Sequence, residues 1–197
     1  MPNSKIAIIV TAFILIISYI FLFNKKQTTL QAKQTRHSSI YDIPITFING
    51  KQETMETFKN KTILIVNVAS KCGFTDQYTQ LEELQKKYQN KNFSILAVPS
   101  NDFMNQEPGS NQEILSFCKN TYDATFPLLE KAHVKQSINQ HPLYKFLITS
   151  KPFGKKISWN FNKYLISKEG RVIGYFGSTT KPLSEKIVSL IEEDIKK

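Results

Sequence analysis

Cys72 and Cys118 are the only thiols in this chain of 197 residues, and their positions differ in kind. Cys72 follows the β-branched and apolar run Thr62 to Ala69, which has the composition of a strand buried on both faces. The run stops at Ser70-Lys71-Cys72-Gly73, and an amphipathic helix is expected from about Thr75, with Tyr78, Leu81, Leu84 and Tyr88 at helical spacing. Cys72 therefore stands where a buried strand passes into a helix N-terminus, a place where unpaired N–H groups and the positive end of the helix dipole collect. Such surroundings, with Lys71 alongside, favour the thiolate, the nucleophilic form of cysteine. Cys118 instead shares an apolar helical stripe with Ile114 and Leu115. Neither belongs to a C-x-x-C pair, and two cysteines are too few for a disulfide-stapled scaffold. His37, His133 and His141 are dispersed, so no zinc-type spacing is present and no metal site is expected.

The elements that must hold this sulfur follow from the chain on either side. Ile43 to Ile48 alternates weakly, and Asn49-Gly50 reads as a two-residue hairpin turn leading to a partner strand at Lys51 to Thr54. After the Thr62 strand and the helix to Tyr88 comes a second apolar strand, Phe93 to Pro99. An irregular loop, Ser100 to Ser110, precedes the helix of Cys118; Phe126-Pro127 breaks the pattern beyond it. A short helix is expected over His141 to Thr149 and a hairpin of Tyr164 to Ser167 with Val172 to Phe176. An amphipathic helix over Leu183 to Ile195 ends the chain. Parallel strands joined through helices, followed by an antiparallel pair, predict a thioredoxin-like α/β sandwich with a central mixed sheet flanked by helices.

The N-terminal end is organised differently. Ile6 to Phe23 is uncharged and apolar almost throughout, long enough to cross a bilayer as one transmembrane helix. A cleaved signal peptide is the competing reading, against which no small-residue cleavage site follows the run. The expected organisation is an anchor over residues 1–24, a polar linker over 25–39 and a folded domain over 40–197. Lys25, Lys26, Lys33 and Arg36 after the span would hold the domain in the cytoplasm, whereas a lone lysine before an apolar run is the layout of an export signal. The extracytoplasmic side is preferred between these. The net charge of +10 comes from scattered lysines with no dense basic block, so no nucleic-acid partner is expected.

Three stretches carry a family resemblance. Asn67-Val68-Ala69-Ser70-Lys71-Cys72-Gly73-Phe74-Thr75 resembles the active-site signature of the glutathione peroxidase family in its cysteine form. Asn105-Gln106-Glu107-Pro108-Gly109-Ser110-Asn111 and Trp159-Asn160-Phe161-Asn162-Lys163-Tyr164-Leu165 resemble its second and third motifs, in the family's order. The resemblance runs from about Ile40 to Ile195. It implies a thioredoxin fold and thiol-dependent reduction of hydrogen peroxide or organic hydroperoxides. Cys72 would be the peroxidatic nucleophile, and Gln106, Trp159 and Asn160 would complete its tetrad. Amides and an indole N–H can orient sulfur and peroxide and bond the leaving oxygen without adding a charge. The product would be a sulfenic acid, reduced by a second thiol such as glutathione or thioredoxin; no bound cofactor is implied.

The resemblance also marks departures. Thioredoxin-dependent members carry a resolving cysteine on the helix of Cys118; counted back from Phe126-Pro127 it falls at Lys119 here, one residue beyond Cys118. One residue turns a helix by about a hundred degrees, so Cys118 is read either as core or as the resolving thiol. Ser100 stands where many relatives have cysteine, and Asp102 where they usually have glutamine. The short interval from Pro127 to Trp159 resembles the monomeric branch, whose open site admits lipid hydroperoxides. Two rival readings remain: a membrane-anchored thiol–disulfide oxidoreductase, disfavoured by the missing C-x-x-C, and a non-enzymatic peroxide sensor.

Overall fold

The structure is a computed structural model that describes residues 14–25 and 39–197. The chain divides into two compact units, Met1–His37 and Ser38–Lys197. In the first, residues 14–25 form helix α1, whose apolar side chains from Ile14 to Phe23 are at least half exposed. At 1.5 Å per residue it rises about 18 Å, short of a hydrocarbon core of about 30 Å. Among the described residues no helix is long and apolar enough to cross a membrane. The expected transmembrane helix is therefore not found among the described residues; the beginning of Ile6 to Phe23 lies outside them, as do linker residues 26–38.

The second unit is built on a four-stranded mixed sheet. The strands β1 (Pro44–Thr46) and β2 (Gln52–Thr54) form a separate antiparallel ribbon. Strand β3 (Thr62–Val68) pairs in parallel with β4 (Phe93–Pro99) and antiparallel with β5 (Lys163–Ile166), and β5 pairs antiparallel with β6 (Val172–Phe176). The sheet order is β4-β3-β5-β6. All seven residues of β3 and of β4 are buried, which explains their continuous apolar sequence. Helix α2 (Gln77–Tyr88) makes the crossover between these two strands, as parallel pairing requires. Helices α3 (Asn111–Tyr122), α4 (Pro142–Thr149) and α5 (Glu185–Ile195) complete the thioredoxin-like arrangement.

Each sheet face carries its own core. On one, Leu64, Val66 and Val68 pack with Tyr78, Leu81 and Leu84 of α2, Ile114 and Cys118 of α3, and Ile187 and Ile191 of α5. On the other, Ile63, Ile65, Leu96 and Val98 meet Leu143, Tyr144 and Leu147 of α4 and the residues around β1. The exposed edge of β4 is covered. Gln85 on α2 accepts the Ile95 N–H at 2.8 Å, and the Pro127 carbonyl accepts that of Ala97 at 3.0 Å.

Three local expectations are corrected. The Asn49-Gly50 hairpin has a three-residue loop, because the Gly50 N–H bonds the Phe47 carbonyl and Gly50 alone takes the left-handed conformation, at φ +86°. Helix α2 begins at Gln77 rather than Thr75, since Thr75 closes the turn before it. The fifth strand starts one residue early, at Lys163, which is wholly buried.

Burial alone pushes the Lys163 ammonium down to about 7 from an ordinary 10.5. Between those two values the unfolded chain holds a proton that the folded chain has released, so stability rises with pH across that window. Below it the charge is carried in both states. Each pKa unit is worth about 1.4 kcal/mol, so its burial then costs several kcal/mol. Lys163→Met is therefore expected to raise the thermal unfolding midpoint at about pH 6, an advantage that fades as the pH is raised toward 10. Thermal melts of both proteins across that range check it; a variant less stable than its parent at the acid end contradicts it.

Candidate active site

The end of β3 delivers the chain into a tight turn from Ala69 to Thr75. The Thr75 hydroxyl closes it, accepting the Cys72 N–H at 3.0 Å and lying 3.0 Å from the Ala69 carbonyl and 2.7 Å from that of Cys72. The Cys72 carbonyl accepts the Thr75 N–H at 3.0 Å, and further one-to-four bonds wind the chain into α2. Cys72 thereby occupies an N-cap-like position at the start of the winding. Its Sγ takes the place of a capping oxygen, with the Phe74 N–H pointing at it at 3.5 Å. An N–H directed at sulfur bonds the anion more strongly than the neutral thiol. Cys72 is 9% exposed, at the edge of the core.

The loop after β4 is bonded directly to this turn. The Lys71 N–H bonds the Gln106 carbonyl at 3.0 Å. Next to it, the wholly buried Glu107 carboxylate accepts both the N–H and the hydroxyl of Ser70, at 2.9 and 2.6 Å. Burial still pushes the Glu107 carboxyl up, against the opposing pull of Ser70, Lys131 and Lys71. Within the loop Met104 and Asn105 are both left-handed, at φ +51°. Asp102 braces the loop from below. Its carboxylate is 2.7 Å from His133 Nδ1 and accepts the N–H groups of Val134 and Lys135 at 2.6 and 2.8 Å. These bonds hold its carboxyl below the usual range despite partial burial.

The third group enters from the segment before β5. Asn67, the one amide side chain in β3, donates from Nδ2 to the Trp159 carbonyl at 3.0 Å and accepts the Asn162 N–H at 3.0 Å. Ser178 Oγ donates to the Asn160 carbonyl at 2.5 Å. Held in this way, Asn160 Nδ2 donates to Gln106 Oε1 at 2.9 Å. Asn160 Oδ1 is buried and has no hydrogen-bond partner. The Trp159 indole is half-buried, touches the cores on both sheet faces and lies 5.7 Å from the Phe103 ring.

The structure thus brings Gln106 and Asn160 into direct contact and attaches Gln106 to the turn carrying Cys72, with Trp159 adjoining Asn160 in the chain. Cys118 is placed differently. It is wholly buried in α3, beside the Tyr78 hydroxyl, and burial pushes its thiol up to about 11. Both cysteines are free thiols. Sequence reasoning missed Asn67, Glu107, Thr75 and Ser178 as supports. Asn67 alone had a visible signal, a polar amide inside an otherwise apolar strand.

This geometry can be set beside known proteins. The chain matches the family model for glutathione peroxidase over residues 40–148. It is 45% identical over 161 residues to the glutathione peroxidase-like peroxiredoxin 2 of Saccharomyces cerevisiae, covering 79% of this chain and 99% of that one. To the glutathione peroxidase homolog BsaA of Halalkalibacterium halodurans it is 41% identical over 157 residues, covering 79% and 98%. Among solved structures, that of Trgpx in its apo form superposes with a TM-score of 0.65 at 35% identity, over 82% of this chain and 98% of that one. With the motif-bearing turn, loop and strand entry in one place, these matches show that the chain belongs to the glutathione peroxidase family.

Proposed function

We propose that Cys72 is the peroxidatic nucleophile of this thiol-dependent peroxidase, with Gln106, Trp159 and Asn160 as its hydrogen-bonding partners. The observation that carries the assignment is the junction of three segments: Lys71 N–H on the Gln106 carbonyl, Asn160 on the Gln106 side chain, and Asn160 Oδ1 left buried without a partner. An unmet acceptor on a segment joined through Gln106 to the turn that carries Cys72 fits a hydroperoxide O–H, since leaving it unpaired costs free energy that substrate binding recovers.

The cycle follows from the chemistry of sulfur. The Cys72 thiolate attacks one oxygen of the hydroperoxide; the S–O bond forms as the O–O bond breaks. The leaving oxygen, stabilised by the amide and indole donors while negative charge builds on it, takes up a proton and departs as water or alcohol. Cys72 has lost two electrons and is a sulfenic acid. A first external thiol condenses with it to a mixed disulfide, releasing water. A second attacks that disulfide, returning the Cys72 thiolate and leaving the reductant oxidised.

Reduction by an external thiol acting directly on Cys72, with Cys118 as a core residue, is supported by the complete burial of Cys118 and its raised thiol pKa of about 11. Glutathione or thioredoxin is the proposed donor, and no bound cofactor takes part. The proposed substrates include lipid hydroperoxides, and the proposed state is a monomer. A helix that is apolar all round is stable where lipid or protein surrounds it. The exposed apolar side chains of α1, with the uncharged sequence from Ile6, therefore support a membrane tether, the extracytoplasmic side being preferred for the domain.

Cys72→Ser is expected to lower steady-state peroxide reduction by about 10³-fold or more, as removal of a nucleophile does; turnover near the parent level contradicts its role. Cys118→Ser is expected to leave turnover unchanged with either glutathione or thioredoxin. A loss confined to thioredoxin would make Cys118 the resolving thiol. Glu107→Ala, which strands the Ser70 N–H and hydroxyl, is expected to destabilise the fold by about 1–3 kcal/mol and to slow peroxide reduction. Glu107→Gln, which can still accept from Ser70, should do much less of both. Denaturant unfolding and peroxide kinetics on the pair check this, and equal effects contradict it.

A further inference from the structure

The turn that presents Trp159 and Asn160 contains a residue in an unfavourable conformation. Phe161 has φ +62°, in the left-handed region that bulky side chains avoid. Such a residue persists only where its surroundings over-determine it. On its amino side the Phe161 N–H bonds the Asn67 carbonyl at 2.6 Å. On its carboxyl side the Phe161 carbonyl accepts from Lys163 Nζ at 2.8 Å.

Lys163 is itself anomalous. Along β5, Tyr164 and Ile166 join the core around α4, whereas Leu165 joins the core that contains Cys72. Alternation therefore sends the Lys163 side chain to the Cys72 side of the sheet. It is wholly buried, and no carboxylate pairs with it among the described residues. The titratable groups on that side are Cys72 of the turn, Tyr78, Glu82 and Tyr88 of α2, Glu107 of the loop, and Cys118 and Tyr122 of α3; Asp194 of α5 is bonded to Thr62 at the far end of β3. A buried, unpaired ammonium weakens a fold, and an apolar residue of similar size would strengthen it. Its position calls for a role other than stability.

We propose that Lys163 is a positioning residue for peroxide reduction: its buried ammonium clamps the Phe161 carbonyl, holds the left-handed turn, and so sets Asn160 against Gln106 and Trp159 beside them. A charged donor on a carbonyl makes a bond about twice as strong as a neutral one. The proposal rests on Asn160 and Trp159 belonging to the peroxide site. Trp159 is the only tryptophan in the chain, so its emission reads this turn directly.

Two measurements test it. Lys163→Met is expected to lower the second-order rate constant for hydrogen peroxide by about 10- to 100-fold, as small misplacements of catalytic groups do, with the KM for the thiol donor unchanged. Lys163→Arg, which keeps a charged donor, should recover part of the loss. In full-length Cys72→Ser protein, where the sulfur no longer titrates, Trp159 emission is expected to change with pH near 7, and the added Lys163→Met should abolish that transition. A Lys163→Met protein with the parent rate constant, or a transition that survives the substitution, overturns the proposal. If the parent protein reduces no peroxide, the site assignment fails instead, and the emission titration still decides whether Lys163 controls the turn.

Discussion

A single amide in the middle of the sheet joins the pieces of this candidate site. Asn67 is wholly buried in a strand of otherwise apolar and β-branched residues, five residues before Cys72. Its side chain bonds the Trp159 carbonyl and the Asn162 N–H, and its backbone bonds Phe161 and Asn162. Burying an amide is costly unless its donors and acceptor are met, and here the partners that meet them are the backbone groups of the segment bearing Trp159 and Asn160. The strand that leads to Cys72 therefore also anchors the segment that carries Trp159 and Asn160. Chain order alone keeps these groups far apart; parallel β3–β4 and antiparallel β3–β5 pairing brings both partners to the same strand end.

Around that anchor the site relies on strained or costly features. Met104, Asn105 and Phe161 are left-handed, Glu107 is a buried carboxylate, and Lys163 is a buried ammonium. Each sits within three residues of Gln106 or Asn160 in sequence. Together they spend stability on the segments that carry Gln106, Trp159 and Asn160, and Gln106 is bonded in turn to Asn160 and to the turn of Cys72. The turn at Cys72 follows the same logic, with Thr75 closing it by three contacts before α2 begins.

Much of this was legible in the sequence, because unbroken apolar runs mark β3 and β4 and the motifs mark Cys72, Gln106, Trp159 and Asn160. What could not be read were features set by hydrogen bonds between distant segments. Periodicity placed α2 at Thr75, but the Thr75 hydroxyl serves the preceding turn. Asn49-Gly50 signalled a two-residue hairpin, yet only Gly50 is left-handed and the loop takes in Ile48. Helical spacing put Cys118 on the apolar stripe of α3, and the structure places it wholly inside. Nothing in the local sequence of Lys163 or Glu107 announces burial, since charged residues are seldom buried; Glu107 is received by distant Ser70, and Lys163 by the Phe161 carbonyl of the left-handed turn.

The proposal on which the rest turns is that the Cys72 sulfur, in the turn bonded to Gln106, is the atom that peroxide oxidises. Mixing the reduced protein with one equivalent of hydrogen peroxide, quenching within milliseconds and mapping the peptides by mass tests it most directly. The account predicts one added oxygen on the Cys72 peptide, trappable as a sulfenic acid, with Cys118 still a thiol. Oxygen found first on Cys118 or on the exposed Met104, with Cys72 unchanged, would contradict it.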